Sequence, residues 1–375
     1  MSRLRTIYNN EALLVGTTPS TSGTDNTGTI KRLHRIQTIG NSFEANLENI
    51  NEYGQMAAID RINLDGGTSS QEFSYYLTDF ENEANLGFVI SSTSSVIGNI
   101  ANKTKADKNY YRFVAPEGLD AVNLPASSGA VMAVGNGYIG SYGLNVAVGS
   151  FPTATVSVQG LNTATYASGG GVSPAVNPAD GTKTSGTFTL PTIAASSSTK
   201  PSVIKPGDVQ VTFSNPNAGV FQTLDSSINV QKADIKFDFK LEPITKLGSR
   251  LAISREIKYP IDISLDIESL MSDLTANTGL VDFLCNSPTT DVTFKFYKTA
   301  CDANGPSSDA ANIFAQIVVK NAKISSQNFN GSIGPNNTVS MKFQSQVGAA
   351  NDTVNGIFFS GVTGYTTGNV ALKSS

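Results

Sequence analysis

The sequence has no tryptophan, one histidine and two cysteines in 375 residues, and charged residues make up only 15% of it. Each scarcity excludes something. With His34 alone, neither a histidine-based triad nor a histidine metal centre can be assembled. Flanked by Arg32 and Arg35, it reads as a surface residue at the start of a strand. Cys285 and Cys301 have no CxxC spacing and no histidine nearby, which argues against zinc. They could face each other across a hairpin, but nothing requires it, and two free thiols in a reducing cytoplasm is the simpler reading. Without tryptophan, and with Tyr and Phe mostly on alternating positions, there is no stacking platform for sugars or bases. No apolar run is long enough to span a bilayer, and Met1–Arg5 lacks the apolar stretch of a signal peptide. We therefore expect a chain made in a cytoplasm and not bound to membrane.

The net charge of −4 comes without a basic patch, so tight nucleic-acid binding is not indicated, although a mildly acidic protein would let DNA slide past. Gly169–Gly171 and the pair Gly135 and Gly137 are followed neither by Lys-Ser/Thr nor by a helix, so no phosphate loop or dinucleotide fingerprint is present. Carboxylates such as Asp60, Glu81 and Glu83 are scattered as solvated groups usually are. The chain thus carries no assignable catalytic residue, cofactor or metal, and reads as a non-enzyme.

What is abundant points to β-structure. There are 34 glycines among many Ser, Thr and Asn, and 39% of residues are hydrophobic, as expected for short strands and many turns around real cores. An internal repeat organises them. Residues 37–61 align with 231–255 at a constant offset of 194, with nine identities in 25 positions, among them Phe43 with Phe237, Gly54 with Gly248 and Arg61 with Arg255. Ile139 and Ser141 align with Ile324 and Ser326 at an offset of 185. Thr155–Ser157 then match Thr338–Ser340 at 183, which places a two-residue deletion in the turn before them. Tyr111–Phe113 face Phe294–Phe296.

The second copy is the clearer one. Ala233, Ile235, Phe237, Phe239 and Leu241 alternate with polar residues, and so do Ile257, Tyr259, Ile261, Ile263, Leu265 and Ile267, giving two long strands with one buried face. Pro260 should sit where its missing N–H does no harm. Pro243 to Gly248 predicts a short helix, and Asn49–Tyr53, stopped at Gly54, predicts its twin. In the first copy Ile39, Phe43, Ala45 and Leu47 share a face, while Asp65, Gly66, Gly67 and Thr68–Ser70 should form a mobile loop in place of part of the second strand.

The expected fold is mainly β: two tandem sandwich or partial-barrel domains, each with a short flanking helix. Residues 1–32 form an arm, 33–165 the first domain, 166–204 a Ser/Gly/Ala-rich linker or surface loop, and 205–375 the second domain. The apolar piece Ala12–Val15 in the arm either adds a strand to a neighbour or frays.

Several landmarks stand together. In the first half they are Leu33-His34-Arg35-Ile36-Gln37, Tyr53-Gly54-Gln55 with Ile59-Asp60-Arg61, and Phe73-Ser74-Tyr75-Tyr76-Leu77-Thr78, followed by Tyr138-Ile139-Gly140-Ser141-Tyr142 with Asn145 to Ala154. The second half carries Leu247-Gly248-Ser249-Arg250 and Ala252-Ile253-Ser254-Arg255-Glu256. These segments resemble the tube proteins of bacteriophage tails, over roughly residues 10–160 and 205–345. The resemblance implies a virion structural protein that self-assembles into stacked rings around a hollow bore for DNA. Six such domains make a ring, so three two-domain chains would give pseudo-sixfold symmetry, a ring of six chains being the alternative. It also implies tail-tip, terminator and sheath proteins as partners, viral DNA in transit without sequence-specific contact, and residence in the virion tail after synthesis in a host bacterium. The segment 63–88, with Asp65, Gly66, Gly67, Phe73, Tyr75, Tyr76 and Glu81, is the expected inter-ring or inter-subunit loop. A decoration, baseplate or tail-completion protein without a bore would share this composition.

Overall fold

The computed structural model describes residues 7–361 apart from 18, 20, 26–28, 65, 102–105, 195–202, 220–223, 225–227, 271–284, 286–287, 298–312, 332–335 and 350. The protein is mainly β. The first half contains β1 (Glu11–Gly16), β2 (Thr24–Asp25), β3 (Ile30–Arg32), β4 (Ile36–Glu44), β5 (Leu47–Ile50), β6 (Asp60–Asn63), β7 (Thr68–Tyr76), helix α1 (Glu81–Leu86), β8 (Asp107–Val114), β9 (Ala130–Ala147), β10 (Thr153–Gly160), β11 (Asn162–Tyr166), β12 (Gly170–Val172) and β13 (Thr187–Thr189). The second contains β14 (Val209–Phe213), β15 (Asn229–Asp238), β16 (Lys240–Ile244), β17 (Ser254–Lys258), β18 (Ile261–Leu270), β19 (Thr290–Tyr297), β20 (Ile313–Asn330), β21 (Thr338–Val347) and β22 (Gly356–Gly361).

The same strand order occurs twice. In the first half β4, β7, β10 and β9 are neighbours, and β9 continues into β8 and β1; in the second, β15, β18, β21 and β20 are neighbours, and β20 continues into β19 and β14. The registers agree in detail. A bulge separates the pairs Ile36↔Tyr75 and Thr38↔Ser74, and another separates Val230↔Ser269 and Lys232↔Glu268, so Gln37 and Gln231 are the extra residues of matching bulges. Asn136 and Asn321 both adopt positive φ, 47° and 52°, in the middle of the two 18-residue strands. There each strand leaves one set of neighbours for another.

Register corrects one alignment made from sequence. Asn145 pairs with Thr153 and Asn330 with Thr338, so the offset stays at 185 and the turn loses no residues. A two-residue slip preserves which side chains face inward, which is why alternation alone did not reveal it.

Alternation is borne out where it was clearest: Phe237, Ile263, Leu265 and Ile267 are buried. The two expected short helices are not there. Leu47 pairs with Asn63 and Leu241 with Ile257 in two hairpins of identical register, β5–β6 and β16–β17. Gly54 and Gly248 do take positive φ, 91° and 88°, but in hairpin ends. Proline and glycine punctuate a turn as readily as a helix. The helix present in the first half is α1, later in the chain. Tyr259 and Pro260 interrupt what read as one strand, leaving β17 and β18 on either side.

Three further expectations change. The arm 1–32 holds β1, which pairs with β3 and β8 and buries Leu13, Leu14 and Val15, so it belongs to its own core. The stretch 166–204 includes β12 and β13, which join β2 in a small sheet; Phe188 stacks on Tyr111 at 4.7 Å, with Leu190 and Ile193 buried beside it. Thr68–Ser70 begin β7 and do not form a loop. Ser69 and Gln71 stand where the second half has Ile263 and Leu265. They are buried with side-chain polar atoms unpartnered among the described residues, so at these two positions ladder bonds from β4 and β10 hold the strand, and its apolar packing comes from Phe73 and Tyr75 further on.

Candidate assembly interface

The two halves join by strand pairing. β15 runs antiparallel to β9, with Lys232 opposite Ala147, Ile235 opposite Leu144 and Asp238 opposite Ser141. Asn145 donates a hydrogen bond to Asp234, which also pairs with Lys232 at 2.6 Å. Beneath the joint Phe237 stacks on Tyr142 with ring centres 5.3 Å apart, and Phe88 meets both rings edge-on at 5.1 and 6.1 Å. Aromatic pairs at such distances add to the area they bury.

Helix α1 carries Glu83 into this layer. It is completely buried and accepts hydrogen bonds from Tyr75 Oη at 2.7 Å and Tyr142 Oη at 3.1 Å. Burial pushes its carboxyl up to about 7, only partly offset by the bonds from Tyr75 and Tyr142. Both tyrosines are pushed well above their ordinary value by the same burial and by the nearby carboxylate. Phe80 stacks on Phe359 at 5.1 Å, so this helical segment of the first half also packs on the second.

Among the described residues, two stretches of the sheet repeat the flanks of that joint without a partner strand. One is β4, whose described neighbour is β7 alone. In β20, described strands cover both edges over Ala315–Lys320, whereas from Lys323 onward the described neighbour is β21 alone. The side chains reflect this. Phe43 is the register equivalent of Phe237 and Phe329 that of Leu144. Phe43 is 60% exposed and Phe329 48%, whereas Phe237 and Leu144 are 1% and 2% exposed.

The hairpins show the same asymmetry. β16–β17 lies against the first half: Arg255 donates to Gln159 Oε1 at 3.2 Å and to the Gly160 carbonyl at 3.4 Å, and Leu251 and Ala252 pack on Tyr138, Leu161 and Val176. Burial lowers the Arg255 guanidinium from its ordinary value. Gly66 meets the hairpin directly, since a Cβ there would lie 2.6 Å from the Arg250 carbonyl. β5–β6 is exposed along its whole length, including Leu47, Ile50, Tyr53, Met56, Ile59 and Ile62.

The expected loop 63–88 is therefore largely strand and helix. Phe73 and Tyr75 are core residues, Tyr76 meets Phe151 edge-on at 5.5 Å, and Glu81 opens α1 with its carboxylate 3.9 Å from His34 Nε2. Gly66 and Gly67 are packed, and Asp65 lies outside the described residues, as does Cys301. Of the repeat landmarks, Ile139, Ser141, Ile324 and Ser326 sit on the paired halves of β9 and β20. Sequence reading missed Phe329, Gln159 and Gln344, although Gln159 and Gln344 share the 185 offset. Among the described residues no group of His, Cys, Asp or Glu could hold a metal, and no helix is long and apolar enough to cross a membrane.

No family model and no curated protein matches the sequence. Solved structures similar to part of the chain include the SPP1 tail tube, at 15% identity and a TM-score of 0.28 over 44% of this chain and 80% of that one. A protein of the native gene transfer agent virion matches at 13% and 0.25 over 41% and 95%. One from the baseplate of the anti-feeding prophage matches at 11% and 0.28 over 44% and 97%. Likenesses this slight assign no function to the chain.

Proposed function

We propose that this chain is a non-enzymatic structural subunit of a phage-type tail tube, built from two copies of one domain and polymerising through β4 and the second half of β20. The observation that carries the reading is the pair Phe43 and Phe329: each side of the buried internal joint recurs, exposed, at an opposite end of the sheet. Strand β4 of one chain would lie beside the second half of β20 in the next, with the register of β15 on β9, placing Asn41 opposite Phe329. Such a contact is heterologous, so successive chains form a ring if the rotation closes. Edge strands that would otherwise invite aggregation become joints.

Three chains supply six equivalent domain positions, the number that the resemblance to tail tube proteins implies. Stacked rings would enclose a bore lined by the polar face of the sheet. That face carries hydroxyl-rich strands in the first half and Lys–Asp pairs in the second, such as Lys236 with Asp238 and Lys240 with Asp262. A surface of this kind gives DNA no sequence-specific grip. Tail-tip, terminator and sheath proteins would meet the ends and outside of the tube in the virion.

Negative-stain electron microscopy and sedimentation of the purified protein test this. The wild type should form closed rings or tubes of three-chain repeat, and Phe329→Asp should stay monomeric with an unchanged melting temperature. Equal assembly by the two proteins would overturn the joint.

A further inference from the structure

The second half carries an open groove of about 820 Å³, lined in part by Asn321, Lys323, Gln344, Ser345, Asp352 and Asn355. Its counterpart in the first half is the place where the β16–β17 hairpin sits: by register Gln344 and Ser345 are the equivalents of Gln159 and Gly160, and Asn321 of Asn136. One of two matching seats is therefore filled within the chain, and the other is open among the described residues.

The unseated hairpin matches the seated one. β5–β6 and β16–β17 share their register residue for residue, including the bonds from Ile59 N to Ile50 O and from Ile253 N to Ile244 O, each 2.8 Å. Arg61 is the equivalent of Arg255. Arg255 is held in its seat, whereas Arg61 is exposed, its guanidinium donating to Asn49 of its own hairpin at 2.7 Å. We propose that the groove is the seat of the β5–β6 hairpin of a second copy of this chain, Arg61 reaching the Gln344 side chain and the Ser345 carbonyl.

The occupant has to come from another molecule. The seated hairpin leaves β15 and grips β10, two strand spacings away, about 10 Å at roughly 4.8 Å per strand. From β4 to β21 of the same chain is six spacings, about 29 Å. In the next chain of the proposed ring, β21 would again be two spacings away. Chemistry agrees with that fit: beside the Gln344 amide the groove carries the carboxylates of Asp238, Asp262 and Asp352, all acceptors for a guanidinium, although Lys323 and Gln346 stand where the filled seat has Tyr138 and Leu161.

This inference rests on the assembly reading above, and hydrogen exchange separates the two. In wild-type assemblies, amides of Ile59–Asn63 should become at least tenfold slower than in the monomer, alongside those of β4. Arg61→Glu, exposed in the monomer and so expected to fold normally, should lose protection in 59–63, keep it in β4, and raise the concentration needed for assembly about tenfold. Adding Gln344→Arg should restore both. Protection of β4 with none in 59–63 of the wild type would overturn the latch and leave the strand joint standing. Protection of neither, with no assembly, would overturn both.

Discussion

Phe43 and Phe237 occupy the same rung of two strands with the same register, and one is 60% exposed while the other is 1% exposed. The difference lies in what runs alongside: Phe237 has Tyr142, Phe88 and Phe239 around it, at the joint between the halves. Phe237→Ala should cost about 3–5 kcal/mol in urea unfolding, the usual penalty for emptying a core aromatic site. Phe43→Ala should change the stability of the isolated chain by no more than about 0.5 kcal/mol, as at an exposed site, and should weaken assembly measured by light scattering. Equal losses of monomer stability would mean that β4 is covered within its own chain.

Glu83 makes stability depend on pH in a direction opposite to that of most carboxylates. Its folded pKa, about 7, lies above the ordinary 4.5, so the native state holds a proton that the unfolded state has released. Stability contributed by this group is present below pH 4.5 and is lost as pH rises toward 7, amounting to about 3 kcal/mol across the window. Glu83→Gln should flatten that slope between pH 5 and 8, measured by urea unfolding at each pH. A wild-type slope that survives the substitution would place the titration elsewhere.

Two kinds of glycine should behave differently. At Gly54 and Gly248 there is open space but positive φ, so replacement by Ala costs about 1 kcal/mol through backbone strain alone. Gly66→Ala instead pushes a Cβ onto the Arg250 carbonyl and Leu251, and should cost about 1–3 kcal/mol while loosening the β16–β17 hairpin. Thermal melts rank the three, and proteolysis in 245–253 should increase for Gly66→Ala only.

The legible parts of this chain were those where one side chain in two carries the information. Phe237, Ile263 and Ile267 alternate with charges, and their strands were readable at once. The repeat was readable because Gln37 and Gln231, Arg61 and Arg255 keep their spacing. A hairpin stands where a short helix is expected because Gly248 suits the end of either, while Pro243 sits within β16 opposite Arg255. β7 was missed because Ser69 and Gln71 lie where a core strand should have apolar side chains, and Phe188 because one buried aromatic among Ser, Thr and Gly sets no period. The interface itself was not legible: alternation reports which face of a strand is buried, and says nothing about which edge is unpartnered.

Because β15 already lies on β9 inside one molecule, every second joint of the proposed ring survives dilution. It forms by closure within one chain, at a local concentration set by the connecting segment, whatever the bulk amount of protein. A three-chain ring then needs three encounters instead of six, and a dissolving tube would shed pairs of joined domains, never single ones.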